Sequence, residues 1–478
     1  MIRCLCFLSV FVFSLAVFAA APFVDPVAAK IAALRKPNII FILADDLGYG
    51  DLGCYGQKKI KTPNLDRLAA EGMRFTQCYS GTTVCAPSRA SLMTGLHTGH
   101  TRIRGNAALP LGTNETTVAE VLRKAGYQTG LIGKWGLGLE NTGATPSQRG
   151  FEEFLGYLSQ THAHDYYPTQ LWRSSLSAGV SDMVLPRDKN LNGAKGEYSH
   201  DLFTQAATNF IRISKYRPFF LYLPYTIPHA HNERKALGME VPSDAPYSNE
   251  DWPQPEKNKA AMITRLDRDI GVIMAQLKAL KLDSNTVIFF TSDNGPHKES
   301  GVNPDFFQSS GPLRGIKRDL YEGGIRVPMI VRWPEKIQPG TVNDQVWAFW
   351  DFLPTAAAIA GTPPPPNLDG LSMLPTLLGQ QQTNQHDFLY WEFHERGSKQ
   401  ALRMGDWKGI RLAPGAPLEL YNLKSDPAET NNLAAANAAV VEKMEARLKN
   451  VRTESERWPL LSAAEEAERN KQRKPEVN

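Results

Sequence analysis

Apolar residues along the chain fall into short unbroken runs separated by stretches with helical spacing. Asn38-Ile-Ile-Phe-Ile-Leu43 is continuous and ends in Ala44-Asp45-Asp46, the pattern of a strand buried on both faces. Thr62-Pro63-Asn64 opens a helix carrying Leu65, Leu68 and Ala69, with Pro63 tolerated in the first turn. A helix is expected over 116–125, with Val118, Val121 and Leu122 on one face and Gly126 as its stop, and a short strand over 128–133. Next come a helix over 202–213, a strand over 218–223 and a long helix over 256–280. In the long helix Ile263, Leu266, Ile270, Ile273, Met274 and Leu277 share a face. Strands over 286–290 and 327–331 follow. This alternation predicts an α/β fold with a large, mostly parallel sheet sandwiched by helices.

At Pro363-Pro-Pro-Pro366 the character changes, because a proline run is a stiff connection. Strand-like pieces over 388–393, 400–404, 407–411 and 418–422 then suggest a small antiparallel sheet, followed by a helix over about 431–452. The expected division is an α/β domain over 36–362, a C-terminal subdomain over 367–462 and a charged, flexible tail over 463–478.

The N-terminus adds an address. Met1-Ile2-Arg3 is a basic start, an apolar run extends from about Leu5 to Phe18, and Ala19-Ala20-Ala21 supplies small residues for cleavage. That layout reads as a signal peptide over 1–21 and implies a secreted or periplasmic protein. The run is short for a span and no later stretch replaces it, so no stable membrane span is expected. Cys4 and Cys6 leave with the peptide, and Cys54, Cys78 and Cys85 remain. An odd number is met by one disulfide plus one chemically special cysteine, or by three free thiols; counting does not separate the two. The 478 residues are 42% hydrophobic and 21% charged, with a formal net charge of +4 and Lys and Arg scattered among Asp and Glu. No nucleic-acid footprint is present.

In an open α/β sheet, ligands bind beyond the carboxyl ends of the strands. The predicted strands deliver Asp45-Asp46, Lys134, Pro228-His229 and Asp293-Asn294 to that edge. Any one alone reads as a loop charge or a helix cap; four arrivals at one edge read as a site. Asp45, Asp46, Asp293 and Asn294 are all oxygen donors, which suit a hard cation, with Ca2+ favoured over Mg2+ because it tolerates irregular geometry. Without a cation such carboxylates would repel and raise one another's pKa.

Cys85-Ala86-Pro87-Ser88-Arg89, continuing as Ala-Ser-Leu-Met-Thr-Gly95, resembles the signature of the type I, formylglycine-dependent sulfatases, an arylsulfatase-like family of the alkaline phosphatase superfamily. Gly133-Lys134-Trp135, Pro228-His229, Phe290-Thr-Ser-Asp-Asn-Gly295, the segment 313–328 with Lys317, and Gly405-Asp-Trp-Lys408 resemble further motifs of that family, in order. The resemblance implies that a separate formylglycine-generating enzyme oxidises Cys85, which joins the metal ligands as the nucleophile-bearing residue. It implies that Arg89 orients the hydrated aldehyde, that Lys134 and Lys317 hold sulfate oxygens, and that His229 contacts sulfate or assists the leaving group. One departure stands out. The family usually has His two residues after the motif lysine, where this chain has Gly136. His162 and His164, in Gln160-Thr-His-Ala-His-Asp-Tyr-Tyr-Pro168, are candidate substrate-binding replacements and His297 is a third; each alone fits a packing or capping role equally well. Tyr157, Tyr166, Tyr167 and Trp172 suit stacking on sugar rings, and with secretion they favour a sulfated carbohydrate as substrate; the Gly133-Lys-Trp-Gly-Leu-Gly138 variant and this His/Tyr loop resemble branches of the family that act on galactose-type sugars. The rival readings are a phosphodiesterase or phosphonate monoester hydrolase of the same superfamily, and a non-catalytic sugar-binding protein.

Overall fold

The computed structural model describes residues 36–472; the expected signal peptide and the end of the expected tail lie outside the described residues. β1 (Asn38–Ala44) shows why the main sheet is covered twice. Its alternate residues Ile39, Phe41 and Leu43 enter one apolar core, and Ile40, Ile42 and Ala44 enter another on the opposite face. Helices α1 (Pro63–Ala70), α4 (Ser199–Ile213) and α5 (Gln254–Ala279) line the second core. α2 (Cys85–Thr94), α3 (Val118–Lys124) and α7 (Phe352–Ile359) line the first. The short α6 (Glu322–Ile325) precedes β9, and α8 (Leu374–Leu377) follows α7.

The strands are β2 (Met73–Tyr79), β3 (Gln128–Lys134), β4 (Glu153–Tyr157), β5 (Gln170–Ser175), β6 (Val180–Pro186), β7 (Phe219–Pro224), β8 (Thr286–Ser292), β9 (Arg326–Arg332), β10 (Thr341–Asn343) and β11 (Trp347–Ala348). They form an eleven-stranded sheet in the order β10-β2-β9-β8-β1-β7-β3-β4-β5-β6, with β11 beside β2. β8, β1, β7, β3 and β4 are mutually parallel, and β9 runs against both β8 and β2. The carboxyl ends of β2, β8, β1, β7, β3 and β4 therefore share one edge with the start of β9.

A separate antiparallel sheet, β12 (Leu389–Phe393), β13 (Lys399–Met404), β14 (Trp407–Arg411) and β15 (Glu419–Asn422), follows, with α9 (Ala438–Leu448) behind it. α9 is shorter at both ends than the helix expected over 431–452. The charged segment expected to be flexible contains a helix, α10 (Ala463–Gln472). Ser462 and Glu465 cap it reciprocally, and Glu466 accepts a hydrogen bond from the Gly397 amide. Sequence reasoning passes over β2, β4, β5 and β6, because none of them is a continuous apolar run; β6 is half exposed. Cys54, Cys78 and Cys85 are all free thiols, the second of the two alternatives above. Among the described residues no helix is long and apolar enough to cross a membrane.

A buried ionic chain joins the two sheets. Lys408 of β14 lies 2.9 Å from Glu322 and 2.8 Å from Glu429, all three without solvent exposure. The Glu322 carboxylate also accepts a hydrogen bond from Tyr79 of β2. Burial alone would raise Glu322, but Lys408, Arg326 and Arg403 hold it down to about 2; Glu429 is pushed up to about 7 by burial and the Glu322 charge. Lys408→Ala would remove the one cation that sits between two facing buried carboxylates, and is expected to cost about 3–5 kcal/mol, read as a lower denaturant midpoint. A second prediction concerns acid. Glu392 of β12 is buried beside Arg104 at 2.9 Å, Arg452 at 2.8 Å and His394 at 3.0 Å. Against the effect of burial, these partners lower it from 4.5 to about 2. A depressed carboxylate contributes its stability above its unfolded pKa and loses it as pH falls towards the folded one. Unfolding free energy should therefore decline between pH 4.5 and 2, with a shallower slope in Glu392→Gln, measured by denaturant titration across that interval.

Candidate active site

The shared edge gathers the expected residues. β1 runs into Asp45 and Asp46, β8 into Asp293 and Asn294, β3 ends at Lys134, and the loop after β7 carries His229. β2 leads through the turn 80–84 to Cys85, the first residue of α2, with Val84 as N-cap. Arg89 lies one turn further along α2. Lys317 sits in the loop before β9, where its amide donates to Pro296 O at 2.9 Å and the next amide donates to Thr83 O at 3.2 Å. The loop is thereby tied to both the Asp293 turn and the Cys85 turn.

These side chains form one buried cluster. The Cys85 Sγ is 3.3 Å from Asp45 Oδ1, and Lys134 Nζ is 2.8 Å from Asp45 Oδ2. Lys317 Nζ is 2.8 Å from Asp46 Oδ2 and 3.1 Å from His229 Nε2. Arg89 donates through Nε and Nη2 to Asp293 Oδ2 at 3.0 and 2.8 Å, and its Nη2 lies 3.2 Å from Asp45. Asn294 Nδ2 donates to Asp46 Oδ1 at 2.6 Å, while Asn294 Oδ1 is buried with no partner. Three carboxylates thus face three cations. Burial and the Asp45 charge push Asp293 up to about 7, whereas in Asp45 the effect of burial is overcome by Lys134, with Arg89 and Lys317, which hold it well below the usual range. Burial, with Asp293 and Asp45 adding, pushes the Cys85 thiol well up, so an unmodified Cys85 stays protonated and is a weak nucleophile.

Ligand atoms of Asp45, Asp46, Cys85 and His229 lie within 4.8 Å of one another. The crowded carboxylates and the orphaned Asn294 oxygen fit a hard, oxygen-binding cation.

The histidines divide. His229 Nδ1 faces Ala230 O at 2.6 Å, which places its proton there, and Nε2 accepts from Lys317. Burial and Lys317 hold this ring neutral, well below the usual histidine range. His297 accepts at Nδ1 from the Glu299 amide and donates at Nε2 to Pro228 O, so it buttresses the His229 loop. His164 stacks on His229, ring centroids 4.6 Å apart and 15° from parallel. His162 instead meets Tyr157 edge-on, at 4.9 Å between centroids. Of the four aromatics, Tyr157 and Tyr166 are fully buried, and Trp172 packs against the first core.

Sequence reasoning missed Gln160. Gly136 adopts a left-handed φ of 72°, and a Cβ there would lie 2.0 Å from Gln160 Nε2. Gln160 Nε2 donates to Gly136 O at 3.3 Å, and its Oε1 is buried without a partner. The amide therefore fills the space that a side chain at 136 would need. The signal was the pairing of a glycine in place of histidine with a polar loop after β4.

A carboxylate cluster compensated by two lysines and an arginine at the carboxyl edge of a doubly covered parallel sheet defines a hydrolase of the alkaline phosphatase superfamily. The profile described as Sulfatase matches residues 37–362, and that of N-sulphoglucosamine sulphohydrolase, C-terminal, matches 316–454. Human arylsulfatase A is 34% identical over 89% of this chain and 88% of its own length. The N-acetylgalactosamine-6-O-sulfatase of Bacteroides thetaiotaomicron is 32% identical over 88% of this chain and 94% of its own. The crystal structure of Ps i-CgsB in complex with k-i-k-neocarrahexaose superposes with a TM-score of 0.74 at 30% identity, covering 87% of this chain and 92% of that one. The chain belongs to the sulfatase family, and it is a sulfuric ester hydrolase.

The packing at Gly136 can be checked directly. Gly136→Ala forces a left-handed alanine, costing about 1–2 kcal/mol, and adds the clash with Gln160. Gln160→Ala in the same chain should recover the clash component, so thermal unfolding of the double variant should fall short of additivity.

Proposed function

We propose that this enzyme hydrolyses the sulfate ester of a carbohydrate, of galactose type, using formylglycine made from Cys85 and Ca2+ held by Asp45, Asp46, Asp293, Asn294 and residue 85. The observation that carries the proposal is Cys85 Sγ at 3.3 Å from Asp45 within the cluster that also buries Lys134, Arg89 and Lys317. The names of two relatives, a galactosamine sulfatase and a protein bound to neocarrahexaose, support a sugar of this type.

The oxidised residue supplies an aldehyde whose hydrate is an oxygen nucleophile and can release sulfate by restoring the carbonyl, and Ca2+ makes such a hydroxyl easier to deprotonate. The remaining work falls to this chain's own groups. Arg89, fixed by two hydrogen bonds to Asp293, orients the group at position 85. Its seat at the amino end of α2 favours negative charge there. With three carboxylates already balanced by three side-chain cations, a divalent ion would leave the site positive, which suits a sulfate anion. Lys134 and Lys317 are placed to turn from the carboxylates to sulfate oxygens as charge redistributes. His229, neutral and accepting from Lys317, orients that lysine. The proposal includes export by a cleaved signal peptide and maturation by a formylglycine-generating enzyme.

Protein made alongside the maturing enzyme should show an aldehyde at position 85 in the mass of its proteolytic peptide, and should cleave sulfated galactose faster than a phosphodiester. Chelation should lower its melting temperature and Ca2+ restore it. Lys317→Ala should lower kcat by about 10²–10³-fold with position 85 still modified. A thiol at 85 in active protein, or preference for the phosphodiester, would sink the proposal.

A further inference from the structure

We infer that His164, aligned by Glu233, reads a free hydroxyl adjoining the sulfated position of the substrate. The inference rests on the sulfate-ester reading above and narrows it to esters that carry a neighbouring hydrogen-bond donor.

The loop after β4 reaches the same edge as the cluster, and it brings His164 face to face with His229. Glu233, from the loop after β7, lies with both carboxylate oxygens 3.1 Å from His164 Nδ1. A carboxylate only accepts, so Nδ1 carries the proton and the lone pair of the neutral ring sits at Nε2. His164 Nε2 has no hydrogen-bond partner among the described residues, although the side chain is only 14% exposed. Burial and Lys134 keep the ring below the usual histidine range despite Glu233, so it remains an acceptor at neutral pH.

The other two histidines here cannot take this part. His229 uses Nδ1 on Ala230 O and Nε2 on Lys317, and His297 uses both nitrogens on the backbone. Sulfate oxygens also only accept, so the sulfate itself cannot satisfy His164 Nε2. A donor on the rest of the substrate can, and a hydroxyl on the carbon next to the ester is the nearest one that a sugar offers. Glu233 acts through His164 and is a positioning residue. It is ionised, since a backbone amide and the hydrogen bond from His164 lower it against burial and its carboxylate is half exposed.

The test uses enzyme with a verified aldehyde at position 85. It compares kcat/KM for galactose 4-sulfate with its 3-deoxy analogue, and for galactose 3-sulfate with its 4-deoxy analogue, each of which lacks a hydroxyl next to the sulfated carbon. The wild type should prefer the hydroxyl-bearing sugar by roughly 10- to 100-fold, the range of one well-placed hydrogen bond left unmade. In His164→Ala that ratio should fall towards one. Glu233→Ala should reduce the ratio, and Glu233→Gln, whose amide oxygen still accepts from Nδ1, should restore most of it; this pair decides the matter if His164→Ala does not fold. A ratio unchanged in His164→Ala and Glu233→Ala, or a wild type that cleaves 4-nitrophenyl sulfate but neither sugar, overturns the inference. A verified wild type that cleaves no sulfate ester overturns the underlying reading instead.

Discussion

Burying three carboxylates in one cluster is untenable unless charge is supplied to meet them, and the site is organised around that demand. Asp45, Asp46 and Asp293 have almost no exposure, and Arg89, Lys134 and Lys317 come to them from α2, β3 and the loop before β9. Each cation arrives from a different part of the chain, so the cluster is also a set of clamps between segments that share no local structure. Burial and the neighbouring Asp45 charge still raise Asp293 to about 7. That residual strain is electrostatic, and relieving it is what a bound divalent ion would add to stability.

The strand order makes this convergence possible. β8, β1, β7 and β3 are adjacent and parallel, so four consecutive carboxyl ends open onto one edge, and the antiparallel β9 contributes the residues before its start. The loop after β4 then adapts the edge. With glycine at 136 and Gln160 filling the vacant volume, the polar groups beside position 136 come from the loop after β4 and not from position 136 itself. The stacking of His164 on His229 is the visible result.

Much of this was legible beforehand for a physical reason. Strands buried on both faces are continuous apolar runs, so β1, β7, β8 and β9 announce themselves, and their ends point to Asp45, Asp46, His229, Asp293 and Asn294. Cys85, Arg89 and Lys317 came from motif resemblance, because the strand that leads to Cys85 is amphipathic. β2 reads Met-Arg-Phe-Thr-Gln-Cys-Tyr, with partly exposed polar positions. The pairing of His162 and His164 as equals was not resolvable from spacing, since residues two apart in a short turn face different neighbours. One meets Tyr157 and the other His229. Gln160 and Glu233 were invisible because their roles depend on partners 24 and 69 positions away.

The placement of β2 also bears on time. Its partners in the sheet are β9, β10 and β11, all made long after it, and the C-terminal Lys408 that anchors Glu322 is made later still. Until those segments are made, β2 lacks every strand it pairs with. Once β9 and β14 are in place Cys85 is 2% exposed. A second protein that must handle Cys85 would therefore reach it more readily before that closure than after it.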